Sequence, residues 1–196
     1  MADEKSPLDW EPVGSAYDQD AGLILFEKRI DHMRNPRNGQ VFERLVLESV
    51  DWVNMVAIDQ QGHCVMIRQY RFGVGYTTLE TPGGMVDPGE DSKAAAMREL
   101  LEETGYASDR WTYLGAVEPN PAFHNHLCHH WLAEEAYLAN DQALGDGEMI
   151  HVELMTQDQV RSAVVNGELK HALALSALAR VYQLWPLPFR HPGQPA

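Results

Sequence analysis

Between Gly84 and Tyr106 the chain reads Gly-Met-Val-Asp-Pro-Gly-Glu-Asp-Ser-Lys-Ala-Ala-Ala-Met-Arg-Glu-Leu-Leu-Glu-Glu-Thr-Gly-Tyr: a glycine- and proline-rich loop, then an alanine-rich helix. The helix is expected over Ser92–Thr104, with Gly105 at the C′ position, where a left-handed backbone is tolerated. Glu99, Glu102 and Glu103 stand at i, i+3 and i+4, offsets that put three carboxylates on one helix face. Each such pair repels by ~0.2–0.5 kcal/mol on an exposed helix, and acids at the C-terminal end also oppose the helix dipole. A helix chosen only for stability would carry lysine there. The cluster therefore reads as a cation site. Three oxygen ligands on one rigid face suit Mg²⁺ or Mn²⁺, which keep positions open for water and substrate phosphate.

The approach to the helix fits that task. Pro82-Gly83-Gly84 and Pro88-Gly89 make turns whose backbone can come close to a ligand. The Gly83 carbonyl is a candidate neutral metal ligand. Arg98 carries a planar fork of donors that can clamp Glu90 or a cluster carboxylate. Net charge sharpens the reading. Fifteen Lys+Arg against 29 Asp+Glu give −14 over 196 residues. Nucleic acid, an anionic membrane and a bare polyanionic small molecule are all repelled by that charge. A small polyanion becomes admissible only with metal cations between it and the protein.

The remaining pattern is strand-rich. Strands are expected at 23–30, 41–48, 52–58, 64–70, 112–117, 127–133 and 149–154, the first two forming a hairpin around Asn35-Pro36-Arg37-Asn38-Gly39. Thr156-Gln157-Asp158-Gln159 is a capping box opening a helix that stops at Gly167. A third helix is expected from His171 to Leu184, with Leu173, Leu175, Leu178, Val181, Tyr182 and Trp185 at helical spacing as a core stripe. The mixture predicts an α+β chain, or a sandwiched α/β/α arrangement. Cys64 and Cys128 form neither a framework nor a ligand-spaced pair. With no apolar h-region and no apolar run near ~18 residues, the expectation is a soluble cytoplasmic protein.

The order Gly, five residues, Glu, seven residues, Arg-Glu-apolar-any-Glu-Glu-any-Gly-apolar resembles the Nudix box. Gly84, Glu90, Arg98, Glu99, Leu100, Glu102, Glu103, Gly105 and Tyr106 fill it in register. Tyr106, where an aliphatic residue is commoner, is the one departure. The resemblance implies a Nudix-type α/β/α sandwich with a mixed sheet and an N-terminal antiparallel strand extension. It further implies hydrolysis of a nucleoside diphosphate derivative, with metal held by Glu99, Glu102, Glu103 and the Gly83 carbonyl. Water would attack one phosphorus of a pyrophosphate, two or three cations neutralising the developing charge.

Features outside the box resemble the branch that hydrolyses ADP-ribose and sugar nucleotides. Gln69-Tyr70-Arg71 and Leu79-Glu80-Thr81-Pro82-Gly83-Gly84 precede the box as in that branch, although alanine commonly stands where Gly83 is. Pro121 follows Tyr106 by fifteen residues (121 − 106). Val41-Phe42-Glu43-Arg44 resembles a strand that lends an arginine to the diphosphate across a dimer, and Gly147-Glu148 a loop that brings a further acid. By this resemblance Arg44, Arg71, Glu80 and Pro121 are candidate substrate-binding residues, and Arg98, Glu102 and Glu148 catalytic ones, with Glu102 or Glu148 as general base. The implied organisation is an arm over 1–20, a dimerising strand extension over 21–50, a hydrolase domain over 51–185 and a tail over 186–196.

His124, His126, His129 and His130 lack the cysteine pair of a zinc site. As part of a strand, His126 and His130 would share one face and His129 the other; His124 or His126 is the better candidate for touching substrate. Phe26 and Trp52 are candidates for stacking on a base. The leading expectation is an Mg²⁺-dependent hydrolase that splits ADP-ribose into AMP and ribose 5-phosphate. Competing readings are another nucleoside diphosphate sugar or a dinucleotide as substrate, and a catalytically silent nucleotide-binding regulator. The last would be expected to have lost box acids, and here all are present.

Overall fold

The protein is described by a computed structural model over residues 25–184; the arm at 1–20, Leu23, Ile24, Trp185 and the tail at 186–196 lie outside the described residues. β1 (Glu27–Arg34) and β2 (Val41–Glu48) pair antiparallel as a sheet of their own, with Ile30 opposite Leu45 and Met33 opposite Phe42. The turn at Asn35 closes with backbone bonds to Gln40 and Gly39, both 2.8 Å. It sets the hairpin register and carries β1 on to Arg34, past the apolar run that marked the expected strand. The hairpin touches the body where the Leu47 N–H donates to the Phe123 carbonyl (2.7 Å) and Phe26 stacks on His124.

The main sheet comprises β3 (Trp52–Asp59), β4 (Cys64–Arg71), β5 (Tyr76–Glu80), β6 (Gly83–Met85), β7 (Tyr106–Ala107), β8 (Arg110–Val117), β9 (Cys128–Leu138) and β10 (Ile150–Met155). Its spine runs β10-β4-β3-β9, with β3 and β9 parallel and the other pairings antiparallel. One face carries α1 (Ser92–Thr104), whose Ala95, Ala96 and Leu100 pack on Val53, Met55, Ala57 and Val65. The other carries α2 (Gln157–Val165) and α3 (Ala172–Leu178), which close over Val56, Cys64, Met66 and Leu79. This is the expected α/β/α sandwich with a mixed sheet and an antiparallel N-terminal extension. The capping box at Thr156 forms as read, and Gly105 ends α1 at φ 75°.

Two features differ from expectation. β5 and β6 are short strands that carry no alternating apolar pattern of their own. The third helix ends at Leu178: beyond it the Arg180 and Val181 N–H groups donate three residues back, to the Ala177 and Leu178 carbonyls, and the chain leaves the α-helical pattern. Val181, Tyr182 and Leu184 still reach the same core. Their spacing encoded burial rather than continuous helix.

The pairing of β3 with β4 covers only Ala57–Val65 and Ile58–Cys64. Past that point β4 takes β5 as partner and β3 takes β6. The two strands diverge, and a wedge opens between them.

His130 lies fully buried on β9, and neither ring nitrogen has a hydrogen-bond partner among the described residues. Burial first, then the charges of Arg180 and His129, push it down to about 4 from an ordinary value of 6.5. Above pH 6.5 both folded and unfolded states hold a neutral ring. Below it the unfolded chain takes up a proton that the folded one refuses, so stability falls until about pH 4. The expected loss across that window is about 3 kcal/mol. Urea unfolding at pH 7, 5.5 and 4.5 checks this: His130→Leu should flatten the slope, and an unchanged slope would assign the acid sensitivity elsewhere.

Candidate active site

The wedge is a cleft of about 750 Å³. α1 contributes Glu99 and Glu103, β6 contributes Gly83, Gly84 and Met85, and β3 contributes Trp52, Val53 and Asn54. Gln69, Arg71, Tyr76 and Thr78 come from β4 and β5, Glu148 from the loop before β10, and Lys170 and His171 from the loop before α3.

The helix acids differ in depth. Glu103 is 5% exposed and accepts a 2.9 Å hydrogen bond from the Gly83 N–H. Burial, against that single donor, pushes its carboxyl up to about 8, with the Glu99 and Glu148 charges adding. Glu99 is raised for the same reason, opposed by Arg98 and assisted by Glu102 and Glu148. Glu102 is 44% exposed and turns to Arg98 at 3.2 Å rather than into the cleft. Arg98 donates to both oxygens of Glu90 (3.1 and 2.9 Å), to Glu99 (2.8 Å) and to the Met85 carbonyl (2.9 Å). These bonds hold its guanidinium firmly charged, those to Glu90 most of all. The expected clamp thus engages Glu90 and two cluster acids at once.

Gly83 and Gly84 make this approach possible. A Cβ on Gly83 would sit 2.4 Å from the Val53 carbonyl oxygen, and one on Gly84 2.2 Å from the Glu99 carboxyl carbon. An alanine at 83 would strike backbone, which accounts for glycine at that position.

Among the described residues no three His, Cys, Asp or Glu side chains already form a group that could hold a metal ion. The donor chemistry nonetheless fits a hard divalent cation. Glu99, Glu103 and Glu148 line one cleft, the Glu148 charge adds to the raised proton affinity of the other two, and a side-chain-free backbone lies against them. Completing the expected trio requires Glu102 to leave Arg98.

The other candidates separate. Arg71 lines the cleft, its Nε and Nη2 donating to the two oxygens of Glu80 at 2.8 and 2.7 Å. Glu80 is fully buried, also bonds Thr78 and lies 3.5 Å from His171 Nε2. Burial alone would raise its carboxyl, but Arg71, His171 and Thr78 together hold it below the ordinary carboxylate range. Glu80 therefore holds Arg71 and is closed to direct contact with a ligand. Arg44 is exposed on β2, its guanidinium over Phe42, and Pro121 is exposed in a turn; within one chain neither reaches the cleft. Nor do the expected histidines: His124 and His126 stack on each other and on Phe26, and His126 packs on Trp52. β9 starts only at Cys128, so His126 and His130 do not share a strand, while His129 is held by Asp51 and Tyr113 at 3.0 Å each. Trp52 does line the cleft; Phe26 does not. Gln69, part of the Gln69-Tyr70-Arg71 motif, lines it too, and Asn54, Tyr76, Lys170 and His171 line it unannounced by any motif. For His171 a signal existed: a polar residue just ahead of an apolar helical run, where a cap belongs.

The sequence carries a NUDIX domain matched over residues 50–175, which spans the cleft, the acid helix and the start of α3. The chain belongs to the Nudix family. It is 30% identical over 142 residues to the ADP-ribose pyrophosphatase of Bacillus subtilis (strain 168), covering 72% of this chain and 77% of that one. It is also 30% identical over 132 residues to the methanol dehydrogenase activator of Bacillus methanolicus, covering 67% and 71%. A crystal structure of an ADP compounds hydrolase matches at a TM-score of 0.71 and 24% identity, covering 82% and 86%, which establishes the shared fold. The expected kinship with the ADP-ribose pyrophosphatase branch of the Nudix family is met, and the chain is a hydrolase acting on pyrophosphate bonds.

Removing the Glu80 charge should loosen this Nudix site from beneath. Glu80→Gln is expected to lower unfolding free energy by roughly 1–3 kcal/mol, the scale for a buried pair with one partner weakened. Urea unfolding at pH 7 measures it, and an unchanged midpoint would mean that Arg71 does not depend on this contact.

Proposed function

We propose that the protein is a divalent-metal-dependent hydrolase of ADP-ribose, yielding AMP and ribose 5-phosphate. The observation that carries the reading is one cleft lined by three acids and an anchored arginine: the buried Glu103, the half-buried Glu99 and the exposed Glu148, with Arg71. Such a pairing suits a phosphate-bearing ligand whose charge is shared between cations and arginine. Relatives named ADP-ribose pyrophosphatase, two of them at 30% identity over 142 and 166 residues, support this substrate over other nucleoside diphosphate derivatives.

Glu99, Glu102, Glu103 and the Gly83 carbonyl would hold Mg²⁺ or Mn²⁺. Such a cation, when bound, offsets phosphoryl charge and makes water a better nucleophile. Arg98 keeps Glu99 and Glu102 oriented and stays tied to Glu90 when they turn. Glu148 is the better candidate base, since it lines the cleft while Glu102 faces Arg98 and solvent. It takes the proton of the attacking water as the new P–O bond forms and the bridging P–O bond breaks. Arg71 binds phosphate oxygens.

The β1–β2 hairpin supports a homodimer. Ile30, Met33, Val41 and Leu45 are all exposed large apolar residues, and they occupy both faces of the ribbon. A two-stranded ribbon of this kind gains stability by packing on a partner. A second copy seated there could bring its Arg44 to the diphosphate. Sedimentation at micromolar concentration should give a dimer; a monomer with full activity would remove Arg44 from the site.

A panel of ADP-ribose, nucleotide sugars, dinucleotides and nucleoside triphosphates, with products identified, tests the substrate. ADP-ribose should be cleaved best, and chelation should stop turnover. Glu103→Gln keeps an acceptor for Gly83 and should fold normally, yet lose turnover by on the order of a hundredfold. Turnover at the parent rate would overturn the metal assignment.

A further inference from the structure

The Nudix acids leave one wall of the cleft unexplained. Arg71 and Tyr76 stand directly opposite each other in the antiparallel β4–β5 register, so both side chains leave one face of the hairpin about 5 Å apart. The Lys170 ammonium sits over the Tyr76 ring, 5.5 Å from its centroid. Two cations therefore share one face at the cleft. Among the described residues Lys170 makes no ion pair within 4.0 Å. Glu80 binds only one edge of the Arg71 fork, and 40% of the Arg71 side chain remains exposed.

Lys170 is presented by a tethered loop. Glu168 is ion-paired to Arg68, Leu169 is buried in the core, and the N–H groups of both donate to the Ala163 carbonyl (2.9 and 3.0 Å). On the other side His171 caps α3, its Nδ1 accepting from the Ala174 N–H at 3.3 Å. In the neutral ring that acceptor role leaves the proton on Nε2, which faces Glu80 at 3.5 Å.

We propose that Lys170 and Arg71 form a two-cation clamp for the phosphate oxygens of the substrate on the β4–β5 side of the cleft, and that His171 is a positioning residue that holds Arg71 there through Glu80. This rests on reading the substrate as a nucleoside diphosphate derivative. The clamp resolves the repulsion between its own members in the way a cation resolves that among the acids: the diphosphate fits between two walls of opposite sign. It also ties the α2–α3 loop, outside the Nudix box, to substrate affinity.

Steady-state kinetics on ADP-ribose with Mg²⁺ tests both parts. Lys170→Met keeps the stem over Tyr76 and removes the charge. It should raise KM about tenfold, the scale of one charge-assisted contact, with kcat within about twofold. Lys170→Arg should restore the parent KM, and added salt should narrow the gap between Met variant and parent. His171→Asn still caps α3 but is too short for Glu80. It should lower kcat/KM while keeping the parent's unfolding midpoint, whereas His171→Ala should lower both. An unchanged KM in Lys170→Met sinks the clamp and leaves the hydrolase reading standing; full kcat/KM in His171→Asn sinks the positioning role. If the parent cleaves no member of the substrate panel, the hydrolase reading fails instead. Calorimetric binding of inorganic pyrophosphate then decides the clamp, equal affinity of parent and Lys170→Met overturning it.

Discussion

Nothing but backbone stands between α1 and β3 at Gly83–Gly84, and the arrangement of the cleft depends on that thinness. The Gly83 N–H reaches Glu103 directly, and the Glu99 carboxylate lies where a side chain on Gly84 would be. Any larger residue would push the helix acids away from the strand or the strand away from its sheet. The same closeness removes water from Glu103, which is why one backbone donor fails to hold its proton affinity down. Desolvation and proximity are two consequences of a single packing choice.

Arg98 makes that choice tolerable. One guanidinium serves Glu90, Glu99 and Glu102, and the Met85 carbonyl fixes its remaining direction. Glu90 is the partner that does not belong to the acid trio. If a cation drew Glu99 and Glu102 away, Arg98 would keep its pair with Glu90 and remain in place beside them. The seven residues between Glu90 and Arg98 are thus set by the geometry of one loop and two helical turns.

The acid helix, its cap and its arginine were legible because they are local: their offsets fix which groups share a face before any tertiary contact forms. Alternation and helical spacing reported which residues are buried, while the choice of an α/β/α layer order came from the Nudix resemblance. The wedge was not. β5 and β6 owe their existence to the place where β3 and β4 part, a property of pairing across the chain that no run of residues announces. Glu80 read as a contact residue and is instead sealed beneath Arg71, because burial of a charge is decided by what covers it. His171 was absorbed into the start of a core helix and Lys170 stands just ahead of it, since apolar periodicity hides a functional pair at its edge. Arg44 and Pro121 came from resemblance alone, and in one chain each remains outside the cleft.

Net charge of −14 gives these details their weight. An approaching diphosphate meets repulsion over most of the surface, so whatever bound metal cations leave unneutralised has to be met by a few fixed positive groups at short range, where screening is least effective. Several arginines are already committed: Arg29, Arg68, Arg110 and Arg161 each pair with acids away from the cleft. Arg71 is different in kind, because its partner Glu80 is buried behind it and its open edge faces the ligand space. A carboxylate placed beneath an arginine fixes the cation without covering it; the same carboxylate in front would have blocked the site. Depth of the partner, more than the number of charges, decides whether an acidic protein can present a positive edge to an anion.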